Sequence, residues 1–115
     1  MNKITFEDFE RSMSYDVAGN STCIEIEFYV DGCSEYQCSW MGKMADSNTK
    51  NDIYWFGLVK DGSQAYDFDS FEKFANAKVF HGKNLKELWD LISIYSFGGG
   101  TIQETLPFYL EQSNY

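Results

Sequence analysis

The segment TCIEIEFYV, residues 22–30, alternates between apolar and polar side chains from Ile24 onward. Its even-numbered positions from Ile24 to Val30 are apolar, and Glu25, Glu27 and Tyr29 stand between them. Successive side chains of a strand point to opposite faces, so this period of two predicts a β-strand with one face in the core and the other toward solvent. A helix would spread the same residues around its circumference, so we expect a strand here.

The residues after this strand, the dipeptide DG at 31–32 and the run CSEYQCSW, predict a hairpin with two candidate registers. A two-residue turn would pair Val30 with Cys33 and would mix apolar with polar side chains on both faces. A three-residue loop with its glycine in the left-handed conformation would pair Ile26 with Tyr36. It would place the apolar side chains on one face of the hairpin and the polar ones on the other. We therefore predict the three-residue loop.

The run IYWFGLV, the loop KDG and the run SQAYDF predict a second hairpin of the same kind over residues 53–68. A three-residue loop at 60–62 pairs Phe56 with Tyr66 and Tyr54 with Phe68. Both faces of the first of these strands are apolar, which indicates an interior strand covered on both sides or a surface bound to a partner. Two hairpins together predict an antiparallel sheet of about four strands.

Three segments have apolar residues at the spacing of a helix. The segment TFEDFERSM has Thr5 as its N-cap, and DSFEKFANA begins after Asp69 or Ser70. The clearest of the three is NLKELWDLISI, Asn84 to Ile94, because Asn84 and Glu87 form a capping box at its start. We therefore predict a helix in each segment.

The segment after the three glycines at 98–100 carries opposing signals. Thr101 with Glu104 can open one more helical turn, but Pro107 disfavours helical geometry at Leu106. We expect a single α+β domain over residues 1–115. In it, a sheet built from two hairpins packs with a short N-terminal helix and with a C-terminal helix at Asn84 to Ile94.

The charge of the chain excludes one large class of partners. There are 18 acidic and 9 basic residues, a net charge of −9, and a single arginine, Arg11. Such a surface repels phosphate backbones and attracts basic proteins, so we expect no direct binding of nucleic acid. The first residues lack the apolar core of a signal peptide, and no apolar run approaches the roughly 18 residues of a membrane span. These observations predict a cytoplasmic protein without membrane contact.

The cysteines and the histidine do not form a recognisable zinc site. Cys23, Cys33 and Cys38 are an odd number of cysteines in a chain without an export signal, so we expect free thiols, buried or half-buried. A zinc site would need His81 as the fourth ligand, and the four residues between Cys33 and Cys38 do not match the common paired spacing.

The remaining candidate residues also lack the neighbours that a metal site or a catalytic site would need. Asp67 and Asp69 with Glu72 come nearest to a site for a hard cation, but helix capping and solvation account for these carboxylates better. His81 is the only histidine, and no third residue is identified that would orient it for nucleophilic catalysis. We expect no metal, no cofactor and no catalytic set.

The most informative surface in the predicted fold is the outward face of the first hairpin. In the chosen register Glu27 lies opposite Glu35, and like charges facing each other on a sheet cost stability. The predicted binding strip consists of Glu25, Glu27, Tyr29, Asp31 and Glu35. A solvated sheet face is one explanation of this strip. The other, which we favour for the function, is that it docks on a basic protein, as an inhibitor or immunity-type protein would when it neutralises a toxin nuclease or a defence effector.

Two other classes of function stay open at this point. In the first, an aromatic-rich sheet curls around a small-molecule pocket. Its candidate lining residues are Trp40, Tyr54, Tyr66, Asp67, His81 and Trp89. In the second, the chain is a structural subunit that forms a homodimer through the apolar faces of residues 53–59.

Overall fold

The computed structural model describes residues 4–14, 23–46, 48–49, 51–59 and 63–112. Its strands are β1 Ile24–Val30, β2 Ser39–Ala45, β3 Asp52–Leu58, β4 Gln64–Phe68 and β5 Ile92–Phe97. Its helices are α1 Phe6–Ser12, α2 Phe71–Asn76 and α3 Ile102–Gln112. The strands form one antiparallel sheet in the order β4-β3-β2-β1-β5. The predicted α+β class is therefore confirmed, with five strands where about four were expected.

The inward face of the sheet and the helices share one hydrophobic core. The alternating residues of β1 are buried from Ile24 to Val30, as the period of two predicts. Phe74 of α2 stacks on Phe56 of β3 with ring centroids 4.3 Å apart, and Tyr109 of α3 contacts Phe97 of β5. The three described helices pack on this one face of the sheet, and aromatic rings supply many of the contacts.

The first helix forms where its sequence predicts it. The hydroxyl of Thr5 accepts a hydrogen bond of 3.0 Å from the main-chain N–H of Asp8, which is the expected N-cap geometry. Phe9 and Met13 are fully buried. The indole N–H of Trp89 donates a 2.8 Å hydrogen bond to the carbonyl oxygen of Ile4, so the start of this segment is also held against the body of the protein.

The register predicted for the second hairpin is confirmed. Tyr54 pairs with Phe68 and Phe56 pairs with Tyr66. The loop at 60–62 itself lies outside the described residues. Strand β3 lies between β2 and β4 in the sheet, but the described helices cover only one of its two faces, so β3 is not the strand covered on both sides that was one of the two expectations.

The register predicted for the first hairpin is wrong. Ile26 pairs with Met41 and Glu27 with Trp40, because Ser34–Tyr36 forms a 3-10 turn instead of a strand. Next to the turn, the described residues pair through an isolated bridge between Val30 and Cys33, the contact expected for the rejected two-residue turn. Glu27 therefore does not face Glu35.

The segment predicted as the clearest helix is also different. The capping box is present: Asn84 and Glu87 exchange hydrogen bonds of 2.9 and 2.8 Å. The chain then makes only turns and a 3-10 turn at Trp89–Leu91 before it enters β5. The backbone of Ile92 pairs with Val30 of β1, so pairing with the sheet replaces helix here. The strand from Ile92 to Phe97 was not predicted.

The C-terminal helix of the fold lies later in the chain, at Ile102–Gln112. Thr101 and Glu104 form its capping box, with hydrogen bonds of 3.0 and 3.2 Å. Pro107 lies inside the helix and does not end it, so the expectation drawn from this proline is wrong. In α2, the N-cap is Ser70, whose hydroxyl accepts from the N–H of Lys73, and Asp69 instead forms a 2.9 Å ion pair with Lys73.

Candidate functional site

The outward side of the sheet, which we call the open face, is covered by none of the described helices. The pairing registers place every second residue of each strand on this side. The open face consists of Glu25, Glu27, Tyr29, Trp40, Gly42, Met44, Ile53, Trp55, Gly57, Ala65, Asp67, Ser93 and Ser96. It is flanked by the bulged residue Tyr95. An aromatic sheet surface of this kind, left uncovered by the described helices, is typical of a binding face.

The open face carries charge of one sign. Its outward strand positions hold the carboxylates of Glu25, Glu27 and Asp67, and no lysine or arginine occupies such a position in the five described strands. The lysine within β2, Lys43, points to the opposite side and is buried. Within the described residues, the carboxylate of Glu27 has no hydrogen-bond or ion-pair partner. The face therefore attracts cations.

Two glycines make the middle of the open face flat enough for an indole to lie on it. A Cβ atom built on Gly42 would stand 3.0 Å from Cζ2 of Trp55, and one built on Gly57 would stand 3.8 Å from its Cζ3. The ring of Trp55 therefore lies across both glycines and is half-buried. Trp40, which pairs with Gly57, remains 38% exposed.

A cleft of about 410 Å³ opens at the β1 and β5 side of this face. Its lining residues are Glu27, Phe28, Tyr29, Gln37, Cys38 and Tyr95. We call it the open-face cleft. It combines two exposed phenol rings, 39% exposed at Tyr29 and 69% at Tyr95, with one carboxylate.

Two local irregularities of the backbone shape the cleft. On β5 the register shifts between Ile94, which pairs with Phe28, and Ser96, which pairs with Glu27, so Tyr95 is an extra residue that the ladder does not pair. Such a bulge turns a side chain away from the regular direction. On the opposite wall, Cys38 has a φ of 58°, a left-handed conformation that is uncommon for a residue other than glycine.

Four of the five residues in the predicted binding strip remain close together. Glu25, Glu27 and Tyr29 share the open face, and Asp31 accepts a 2.9 Å hydrogen bond from the hydroxyl of Ser93 at its border. Glu35 lies elsewhere.

The carboxylate of Glu35 contacts Nε2 of His81 at 2.8 Å and the amide of Gln64 at 3.4 Å. The neighbouring ring of Tyr36 is buried against Phe80, on the side of the helices. This burial, followed by the charge of Glu35, raises the pKa of Tyr36.

The six residues proposed as a small-molecule pocket are not brought together. Trp40 and Asp67 lie on the open face, whereas Tyr54 and Trp89 pack beneath the helices. Tyr66 is on the inward side of the edge strand β4, and His81 lies in a turn next to Glu35. Asp67 and Trp89 line two separate clefts, of about 400 and 570 Å³. The structure therefore does not place these six residues around one shared pocket.

The carboxylates that were considered as ligands for a cation do not form a shared site. Asp67 is exposed opposite Trp55, and the ammonium group of Lys73 lowers the pKa of Asp69. Within the described residues, no three potential ligands are grouped as a metal site would require. Cys23, Cys33 and Cys38 are free thiols, but Cys23 and Cys38 are exposed instead of buried or half-buried as expected.

The dimer hypothesis was based on residues 53–59, and one of their two faces is not available. Tyr54, Phe56 and Leu58 belong to the core or pack against it. Only Ile53, Trp55 and Gly57 reach the open face.

Sequence reasoning missed Tyr95, Cys38 and the role of Trp55 in this site. Tyr95 directly follows the segment Asn84 to Ile94, which was interpreted as helix, and Cys38 lay within a wrongly registered strand. The alternation of ISIYSF, residues 92–97, is the signal that could have identified β5 and its exposed tyrosine.

Comparison of the chain with protein-family models, with curated proteins and with solved structures gives no match. None of the helices in the described residues is long and apolar enough to cross a membrane.

Proposed function

We propose that this chain is a non-catalytic protein-binding module whose open face docks on a basic protein. The observation that supports this most is the open face, which has exposed aromatic rings and three carboxylates but no basic side chain on its strands. Aromatic residues supply most of the energy in many interfaces, and complementary charge steers the encounter. A face of this composition suits a partner with arginine and lysine on its surface.

Within this class, the partner that fits best is a basic protein that handles nucleic acid. Such a protein exposes cations that normally contact phosphates, and carboxylates held on a rigid sheet can occupy them instead. The chain would then act as an inhibitor or immunity-type protein against a toxin nuclease or a defence effector. We place this action in the cytoplasm, where the three cysteines would stay reduced.

The arrangement of the glutamates supports the proposal. Glu25 and Glu27 are two positions apart on one side of β1, so their Cα atoms are about 7 Å apart and their charges repel each other. A basic partner would relieve this repulsion on binding. In the observed register Glu35 does not lie on the open face. Glu25 and Glu27 remain on it, and Asp31 remains at its border.

The proposal is tested by charge reversal on the open face. The double variant Glu25→Lys/Glu27→Lys should lose proteins that wild type captures from the native lysate at low salt. The control variant Glu72→Lys/Glu111→Lys changes the net charge equally at exposed helix positions outside the open face and should retain them. Capture should weaken steeply toward about 1 M salt, where the Debye length falls to about 3 Å.

Captured proteins must then be identified and purified. The expected partner is a basic protein whose cleavage or binding of nucleic acid is blocked by the wild-type chain and not by the Glu25→Lys/Glu27→Lys variant. A partner that is acidic, that binds equally at high salt, or that both charge-reversal variants capture alike would contradict the proposal.

A further inference from the structure

The open-face cleft brings together the chemical groups that recognise a cationic side chain. Tyr29 and Tyr95 expose phenol rings at the cleft, and Glu27 contributes a carboxylate. The face of an aromatic ring attracts a cation, and a carboxylate accepts its N–H groups. We infer that the cleft is the site in which an arginine side chain of a basic protein partner is bound. The inference rests on the proposed function, since it takes a protein as the occupant.

Arginine fits the cleft better than lysine does. Its planar guanidinium can stack on a phenol ring while its N–H groups bond a carboxylate in the same plane, whereas the lysine ammonium is a compact, strongly hydrated charge. The volume of about 410 Å³ leaves room for a whole side chain. Arginine, tyrosine and tryptophan are also the residues that dominate binding energy at protein interfaces.

The position of Tyr95 on the bulge of β5 supports a role in binding. A tyrosine that is 69% exposed contributes little to the core, and the bulge breaks the pairing with β1 at this residue. The exposed ring adds little to the stability of the isolated fold, and the bulge places it beside Glu27, which pairs with the next residue, Ser96. A bound guanidinium would cover this ring.

The cleft also lies within a wider acidic surface. Glu25 is two positions from Glu27 on the same side of β1, and Asp31 is held at the border by Ser93. The neighbouring carboxylates raise the local concentration of cations, and the cleft selects among them by shape.

The probe for this inference is an acetylated and amidated hexa-arginine peptide, titrated into the full-length, isotope-labelled chain and followed by NMR. Hexa-lysine has the same charge, and hexa-citrulline has nearly the same shape without charge. The largest amide shifts should fall on Glu27, Tyr29, Cys38 and Tyr95. Affinity should decrease from arginine to lysine, and citrulline should not bind measurably.

Variants separate the cleft from general attraction by charge. Tyr95→Leu keeps an apolar side chain but removes the π face, and Glu27→Gln keeps the shape but removes the charge. Each should weaken hexa-arginine binding about two- to fivefold. Tyr66→Leu and Glu72→Gln make the same changes outside the cleft and should each leave most of the affinity intact. Well-dispersed spectra of all four variants confirm that they are folded.

The outcomes separate this inference from the proposed function. If hexa-arginine binds but Tyr95→Leu and Glu27→Gln have no more effect than their controls, the cleft is not the arginine site, although the open face can still bind a basic protein. Absence of binding by the peptide, or a preference for hexa-lysine, would also overturn the inference. Cleft binding of arginine without any captured protein would contradict the proposed function alone.

Discussion

The ammonium group of Lys43 donates a hydrogen bond of 2.7 Å to the main-chain carbonyl oxygen of Met13. The same group forms an ion pair of 3.1 Å with Asp52 and lies 5.0 Å from the ring centre of Tyr54. The side chain of Lys43 is only 3% exposed. A single buried cation therefore joins the end of α1 to the middle of the sheet, and it neutralises a carboxylate beneath the helices.

Replacing this cation should destabilise the fold strongly. Lys43→Met preserves most of the side-chain volume but removes a donor from Met13 and an ion partner from Asp52, so we expect the free energy of unfolding to fall by about 2 to 4 kcal/mol. Urea denaturation followed by tryptophan fluorescence measures this free energy of unfolding. Lys73→Met removes the exposed ion pair with Asp69 and should stay close to wild type. Equal losses in the two variants would argue against a structural role for the buried contact.

The two glycines beneath Trp55 should differ in their tolerance of a methyl group. A Cβ atom on Gly42 would collide with the carbonyl oxygen of Ile24 and press on the indole, whereas one on Gly57 meets only ordinary van der Waals contact. We expect Gly42→Ala to cost about 1 to 3 kcal/mol or to prevent folding, and Gly57→Ala to remain close to wild type. Thermal unfolding of the two variants makes the comparison, and a stable Gly42→Ala protein would contradict the close packing.

The stacked pair Phe56 and Phe74 should be energetically coupled. Their ring planes are inclined by 12° at a centroid distance of 4.3 Å, and both side chains are fully buried. In a double-mutant cycle with Phe56→Leu and Phe74→Leu, we expect a coupling energy of about 0.5 to 1.5 kcal/mol. A parallel cycle with Phe56 and Tyr29, which lie on opposite faces of the sheet, should give a value near zero. Additive effects for the stacked pair would show that burial alone accounts for both residues.

The capping box of α3 should make stability depend on acid. The main-chain N–H of Thr101, and then its hydroxyl, hold the pKa of Glu104 below its ordinary value of 4.5. Since the folded-state pKa is depressed, this contribution is present above pH 4.5 and is lost as the pH falls through the lower folded value. Glu104→Gln should therefore lose less stability than wild type on acidification through this window, as urea denaturation at each pH would show.

A matched variant separates the capping box from net charge. Glu111→Gln removes the same charge near the other end of α3 and should keep the acid dependence of wild type. If Glu104→Gln and Glu111→Gln follow the same pH profile, the acid sensitivity comes from overall charge and not from the hydrogen bonds at Thr101.

The two hairpins show which part of a register can be predicted from polarity. For β3 the apolar run continues to the loop, so matching its apolar face with that of β4 gives the observed pairing of Phe56 with Tyr66. For β1 and β2 the same choice of register, made by matching apolar faces, treated Tyr36 as a strand residue. The ring of Tyr36 is buried because it packs against Phe80 from a 3-10 turn. That contact depends on a segment distant in sequence. Local polarity cannot distinguish the two cases.

The residues of the candidate site could be predicted only where the strands that carry them could be predicted. The alternation of β1 correctly placed Glu25, Glu27 and Tyr29 on one side, whatever the partner of β1. Tyr95 was missed because the capping box at Asn84 and the apolar spacing after it favour helix locally, and this stronger signal hid the short alternation that begins at Ile92. Pairing with β1 decides the conformation of Ile92–Phe97, and a tertiary contact of that kind outweighs local preference.

The place of β5 beside β1 has a consequence for how the chain assembles. Strands β1 to β4 follow one another as neighbours, so they can pair as the chain grows, but the outer edge of β1 must wait for Ile92 to Phe97. Until then its main-chain N–H and C=O groups have no ladder partner on that side, in the very strand that carries Glu25 and Glu27. Closing this long loop should be the late and slow step of folding. The repulsion between these glutamates would then also discourage two nascent chains from joining edge to edge.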